Sequence, residues 1–109
     1  MDRVKNNKEF LSLLCRSKKK FRNFLIQYAN KEQIYTLSEI VLNILNGNLK
    51  VPEQLVKKLS KKRKLLRKLV QKNSIKKKKF LIQKGGFLEI LIPSIVSGLA
   101  SIISSVITQ

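Results

Sequence analysis

The amino-acid sequence predicts an all-α protein, and three observations carry that expectation. Apolar residues recur three and four positions apart in one stretch after another. Residues that cap helices (Asn7, Asn30, Thr36 and Ser74) stand ahead of those stretches, and stop signals (Gly47, then Gly85 and Gly86) follow them. Pro52 falls where a helix would begin, a position that suits a residue without an amide hydrogen. The expected architecture is a small helical N-terminal module, a long basic amphipathic helix and a hydrophobic C-terminal helix.

Residues 1–50 read as the module of short helices. Asn7 caps a first helix to about Cys15, with Phe10, Leu11 and Leu14 on one side. Ser17 opens a second, in which Phe21, Phe24, Leu25 and Tyr28 repeat at helical spacing. Such a stripe is expected in a core rather than on a base-stacking surface. Asn30 or Thr36 caps a third helix. Thr36-x-x-Glu39 has the pattern of a capping box, and Ile34, Leu37, Val41, Ile44 and Leu45 form the apolar stripe. Gly47 and Asn48 end it. Cys15, the single cysteine, excludes an intramolecular disulfide and reads as a small core hydrophobe among leucines. The first residues lack the apolar run of a signal peptide, so a reducing compartment is expected.

Residues 51–84 form a Lys-rich segment. Between positions 54 and 88 there are 14 Lys or Arg and no acid. On a helical wheel Leu55, Leu59, Leu66, Leu69 and Val70 share one side, and most cations take the other. Lys62 intrudes on the apolar side and Leu65 leaves it, so a break or bend is expected near Ser60. If continuous to Lys72 the helix would be a rod of roughly 30 Å. Ser74 caps a short segment carrying Lys76, Lys77, Lys78 and Lys79, a run whose mutual repulsion weakens a helix unless an anion neutralises it.

The charge balance narrows the function classes. The chain has 24 Lys and Arg against 6 Asp and Glu, a formal net charge of +18. A field of that size attracts nucleic acid, anionic lipid or an acidic protein. Lys outnumbers Arg 19 to 5, and Lys acts as a mobile point charge where Arg makes bidentate contacts with base edges. The expected partner is double-stranded DNA, bound through its phosphates without sequence preference. The expected contacts are Lys57, Lys58, Lys61, Lys62, Arg63, Lys64, Arg67, Lys68, Lys72, Lys76, Lys77, Lys78 and Lys79. Lys61-Lys62-Arg63-Lys64 also fits a nuclear-localisation cluster. Enzyme chemistry is not expected. There is no His, the six acids are scattered (Asp2, Glu9, Glu32, Glu39, Glu53, Glu89), and nothing suggests a metal site or a cofactor.

Residues 85–109 form a Gly-Gly hinge and a hydrophobic tail. Residues 87–107 carry one charge, Glu89, which is enough length to span a bilayer. Ser94, Ser97, Ser101, Ser104, Ser105 and Thr108 would share one helical arc, opposite Leu91, Ile95, Leu99, Ile102, Ile103 and Val106. That pattern suits helix association or an interfacial helix, and membrane contact through residues 87–109 is the alternative to DNA binding. A third expectation is plain burial of the tail against the rest of the chain.

Lys84-Gly85-Gly86-Phe87-Leu88, then Leu91-Ile92-Pro93 and Ile95, with Ser105-Val106 and Gln109, resembles the C-terminal part of the adenovirus core protein X (mu) precursor family. The resemblance covers about the last quarter of the chain, and the basic stretch by composition alone. It implies a DNA-condensing protein of the virion core, made for the host nucleus by an adenovirus-like virus or a virus-derived element, with other core or capsid proteins as partners. It also implies proteolytic processing at Gly85 and Gly86. Residues 1–50 have no counterpart in that family, the basic run is Lys-rich where the family's is Arg-rich, and Gln83 stands where the family's protease favours Met, Ile, Leu or Asn.

Overall fold

The computed structural model describes residues 2–49, 51–72, 74–84 and 87–98, and among them the chain forms eight helices and no strand. The all-α architecture predicted from periodicity is the one observed. In chain order the helices are α1 (Asp2–Asn6), α2 (Lys8–Arg16), α3 (Lys19–Gln27), α4 (Lys31–Leu45), α5 (Glu53–Lys61), α6 (Arg63–Val70), α7 (Ile75–Gln83) and α8 (Phe87–Gly98).

The helix ends differ from the sequence reading in instructive ways. The Asn7 side chain does not cap α2; its amide donates backward to the Arg3 carbonyl at 2.8 Å and ties off α1. Ser17 closes α2 instead of opening α3, its hydroxyl donating to the Leu13 carbonyl. Of the two candidate caps for α4, Asn30 is the one used. Its side-chain oxygen accepts from Gln33 N–H at 2.8 Å, while Gln33 Oε1 accepts from Asn30 N–H at 2.9 Å. That reciprocal pair is a capping box. Thr36 lies inside the helix and donates to the Glu32 carbonyl. Gly47 follows the end of α4 with φ +74°, the left-handed conformation that glycine adopts without a Cβ clash. Ser74 caps α7 as expected, accepting from Lys77 N–H.

The long basic helix is two helices. The break falls at Lys62, two residues past the expected site, where the Lys62 N–H donates to the Leu59 carbonyl and the Lys62 carbonyl accepts from Leu66 N–H. A continuous helix would carry Lys62 into the core between Leu59 and Leu66, which are 4% and 1% exposed. Breaking there leaves Lys62 partly buried rather than enclosed between them. Upstream, the Ser60 hydroxyl donates to the Val56 carbonyl, a competing bond of the kind that bends helices.

One apolar cluster takes residues from all eight helices, from Val4 through Leu11, Ile26, Ile34, Leu37, Leu59, Leu66 and Ile82 to Leu91 and Ile95. The three sequence segments therefore share a single core. α4 packs on α1, α6 and α7, while α8 packs on α2, α5 and α7. From Phe87 to Ile95 the tail thus buries one face of its helix, while Val96 is exposed. Ser94, expected on the face opposite Leu91 and Ile95, is fully buried beside them and donates to the Ile90 carbonyl. Pro93 sits inside α8, on its exposed side. Ser101, Ser104, Ser105 and Thr108 lie outside the described residues, as do Gly85 and Gly86.

Candidate nucleic-acid interface

α5 and α6 are built the same way. Leu59, Leu66 and Leu69 point into the core, and the opposite faces carry cations. Lys57, Lys58, Lys61, Arg63, Lys64, Arg67, Lys68 and Lys72 are all exposed. Around the break, Lys61, Lys62, Arg63, Lys64 and Arg67 line a shallow depression together with Lys84. Lys84 was not among the expected contacts. It joins the cluster where α7 packs on α6 and α8 on α5, a relation that linear spacing does not encode. Arg63 and Arg67 are one helical turn apart, the i,i+4 spacing that places both guanidinium groups on one side.

The four consecutive lysines do not act as one block. Lys76 and Lys77 are exposed. Lys78, expected as a phosphate contact, is instead buried at 4% exposure, where its ammonium donates to the Leu69 carbonyl in the last turn of α6. Burial lowers its pKa from the usual lysine value, because desolvation disfavours the charged form. Lys79 is partly buried and donates to the Gln27 carbonyl in the last turn of α3 at 2.8 Å. Two lysines of the run therefore cap the C-terminal ends of two different helices, where a cation is favoured. A helical turn explains the split, since four consecutive residues cannot all face outward.

Elsewhere Tyr35 is surrounded by cations, with Arg3, Lys31 and Lys78 at 5.3, 5.6 and 5.9 Å from its ring centroid. Two exposed ion pairs, Arg3–Glu32 and Lys19–Glu89, are present among the described residues. Such pairs contribute little to stability, and neither involves α5, α6 or α7. The Cys15 thiol is pushed up to about 11, chiefly by burial, against a weaker opposing pull from Arg22. It is accordingly an inert thiol at neutral pH. No group of three or more potential metal ligands occurs among the described residues.

No single helix among the described residues is long and apolar enough to cross a membrane; α7 and Phe87–Ser97 together have the composition, but across the 93° bend. The aromatic stripe of α3 is the largest departure from the sequence reading. Phe21, Phe24 and Tyr28, expected in the core, are exposed. Their i,i+3,i+7 spacing established a common face but not what that face would meet. Comparison of the chain with protein-family models, curated proteins and solved structures gives no match.

Proposed function

We propose that this is a non-enzymatic protein that binds double-stranded DNA through its phosphates, without sequence preference. The observation that supports it best is the set of exposed cations on α5 and α6 from Lys57 to Lys68, joined by Lys84, in a stretch without an acid between positions 54 and 88. Each cation that neutralises a phosphate releases a condensed counterion, so binding strengthens with every contact and weakens as salt rises. Lysine ammoniums on flexible stems follow a phosphate backbone whatever the base sequence. The molecule measures 36 × 31 × 26 Å, so its long axis matches about ten base pairs at 3.4 Å each.

Within this reading, genome condensation in the virion core of an adenovirus-like virus or a virus-derived element is the finer proposal. It rests on the resemblance around Gly85, Gly86 and Leu91-Ile92-Pro93. Exposed cations also occur on α7, at Lys76 and Lys77. Phe87, which would follow the cut at Gly86, is 1% exposed, so processing would require local opening of the start of α8.

A gel-shift titration with the full chain and random-sequence duplex, repeated from 50 to 500 mM salt, tests the proposal. Affinity is expected to fall linearly on logarithmic axes, with a slope of about −0.9 per phosphate contacted. Absence of binding at low salt, or binding indifferent to salt, would sink it.

A further inference from the structure

The three rings of α3 form an ordered ladder in solvent. Phe21, Phe24 and Tyr28 are 45%, 53% and 69% exposed. The Phe21 and Phe24 centroids lie 5.8 Å apart with planes 9° from parallel, and Phe24 and Tyr28 lie 4.7 Å apart at 45°. Each ring braces the next, so the ladder is held in place before any ligand arrives. Beside it runs an open groove to which Lys18 and Lys20 bring ammonium groups and Asn23 and Gln27 bring carboxamides.

α7 contributes to the same flank. Gln83 donates to the Asn23 carbonyl and Lys79 to the Gln27 carbonyl, so α3 and α7 run antiparallel. Successive side chains on a helix are about 100° apart. Phe24 follows Asn23 by one such step, and Phe80 follows Lys79 by one. In two antiparallel right-handed helices facing each other, those steps turn toward the same side of the pair. Phe80, 64% exposed, therefore emerges on the ladder's flank, with the exposed Lys76 one turn before it.

We propose that this flank is a second nucleic-acid site, selective for single strands. Unpaired bases stack on the rings while Lys18, Lys20 and Lys76 hold the backbone and the carboxamides meet base edges. The occupant follows from the chemistry of the rim. Neither α3 nor α7 carries an acid, so the rings are bordered by cations, the complement of a polyanion. A duplex keeps its bases stacked on each other and offers no π-face to a ring, whereas a single strand does. The site lies on different helices from the α5–α6 face, and a different observation carries it, so either can fail alone.

The test is fluorescence anisotropy of a labelled 20-nucleotide oligo-dT and of a labelled 20-base-pair duplex, each titrated with the full chain. In the double variant F21L/F24L, affinity for oligo-dT is expected to fall about a hundredfold, at roughly one order of magnitude per lost stacking contact. Affinity for the duplex stays within about twofold, and F24Y retains oligo-dT binding because a phenol ring stacks as well. The chain has no Trp and two Tyr, so oligo-dT should also quench Tyr28 emission, a signal lost in Y28L. Three outcomes would each overturn the proposal. They are unchanged oligo-dT affinity in a helical F21L/F24L by circular dichroism, equal losses for both nucleic acids, or a loss confined to binding of anionic phosphatidylserine vesicles. Ring-dependent oligo-dT binding without any duplex binding would instead uphold this site and remove the duplex proposal.

Discussion

α3 and α6 are nearly the same length, 9 and 8 residues, and both are basic helices without an acid. They face the solvent in opposite ways. α6 buries Leu66 and Leu69 and exposes Arg63, Lys64, Arg67 and Lys68. α3 fully buries only Ile26 and exposes three aromatic rings. The reason lies in the anchors. α6 is held by its leucines. α3 is held largely by polar bonds: Arg22 Nε donates to the Leu14 carbonyl at 3.1 Å and Arg22 Nη2 to the Cys15 carbonyl at 3.3 Å, while Lys79 and Gln83 of α7 donate to α3 carbonyls. A helix fastened through carbonyls and a guanidinium can leave its most apolar stripe outside. Hydrophobic periodicity thus reports that a face exists, not which neighbour covers it.

The contrast can be broken most forcefully at the cationic face. A variant with Lys61, Arg63, Lys64 and Arg67 all changed to Gln should lose about a thousandfold in duplex affinity at 0.1 M salt, with the salt slope reduced by about 3 to 4. An unchanged slope in the gel-shift series would show that these side chains do not carry the phosphate contacts. Next in size is the difference in stability. L66A removes a fully buried side chain of α6 and should cost about 2–5 kcal/mol in urea unfolding. F24L on the exposed face of α3 should stay within about 0.5 kcal/mol. Similar losses for the two would mean that the aromatic ladder supports the fold.

Neighbouring lysines offer a finer comparison. K78M should destabilise the protein by about 1 kcal/mol at neutral pH, because the unpaired Leu69 carbonyl outweighs relief of a buried charge. Its salt slope for DNA should not change. K77M should do the reverse, lowering the slope by about 1 and leaving stability within about 0.5 kcal/mol. Since burial lowers the folded-state pKa of Lys78 below its value of 10.5 in the unfolded chain, the folded protein gives up this proton first. The desolvation cost is present below the folded pKa and fades as pH rises toward the unfolded value. The stability gap between wild type and K78M should therefore widen in alkaline solution, as urea titrations at several pH values would record. The smallest effect is expected at Cys15. With its thiol pushed up to about 11, iodoacetamide should alkylate the native chain slowly at pH 8 and the urea-unfolded chain readily.

Much of the fold was legible because α-helices write themselves locally. The stripes of α2 and α4, the stop at Gly47 and the Ser74 cap depend on contacts within a few residues, and spacing alone carries them. The competing caps were not separable in this way. Asn30 and Thr36 both suit an N-cap, and the choice depends on where the chain turns after α3. The break at Lys62 was half legible, since a lysine on an apolar stripe announces a conflict but not the residue that yields. The candidate cationic face was visible as composition, apart from Lys84, whose place depends on the packing of α7 on α6.

By itself the sequence determined the helical class, the strong positive field and the absence of histidine. Those properties follow from residue type and short-range spacing. Tertiary structure alone decided which amphipathic faces became core, because that depends on how helices distant in the chain meet. It drew the apolar face of α8 into the interior as far as Ile95, divided the four lysines into two outward cations and two helix caps, and left the rings of α3 exposed to solvent. Burial is a property of the neighbours as much as of the side chain, and the neighbours here lie as far apart as Asn23 and Gln83.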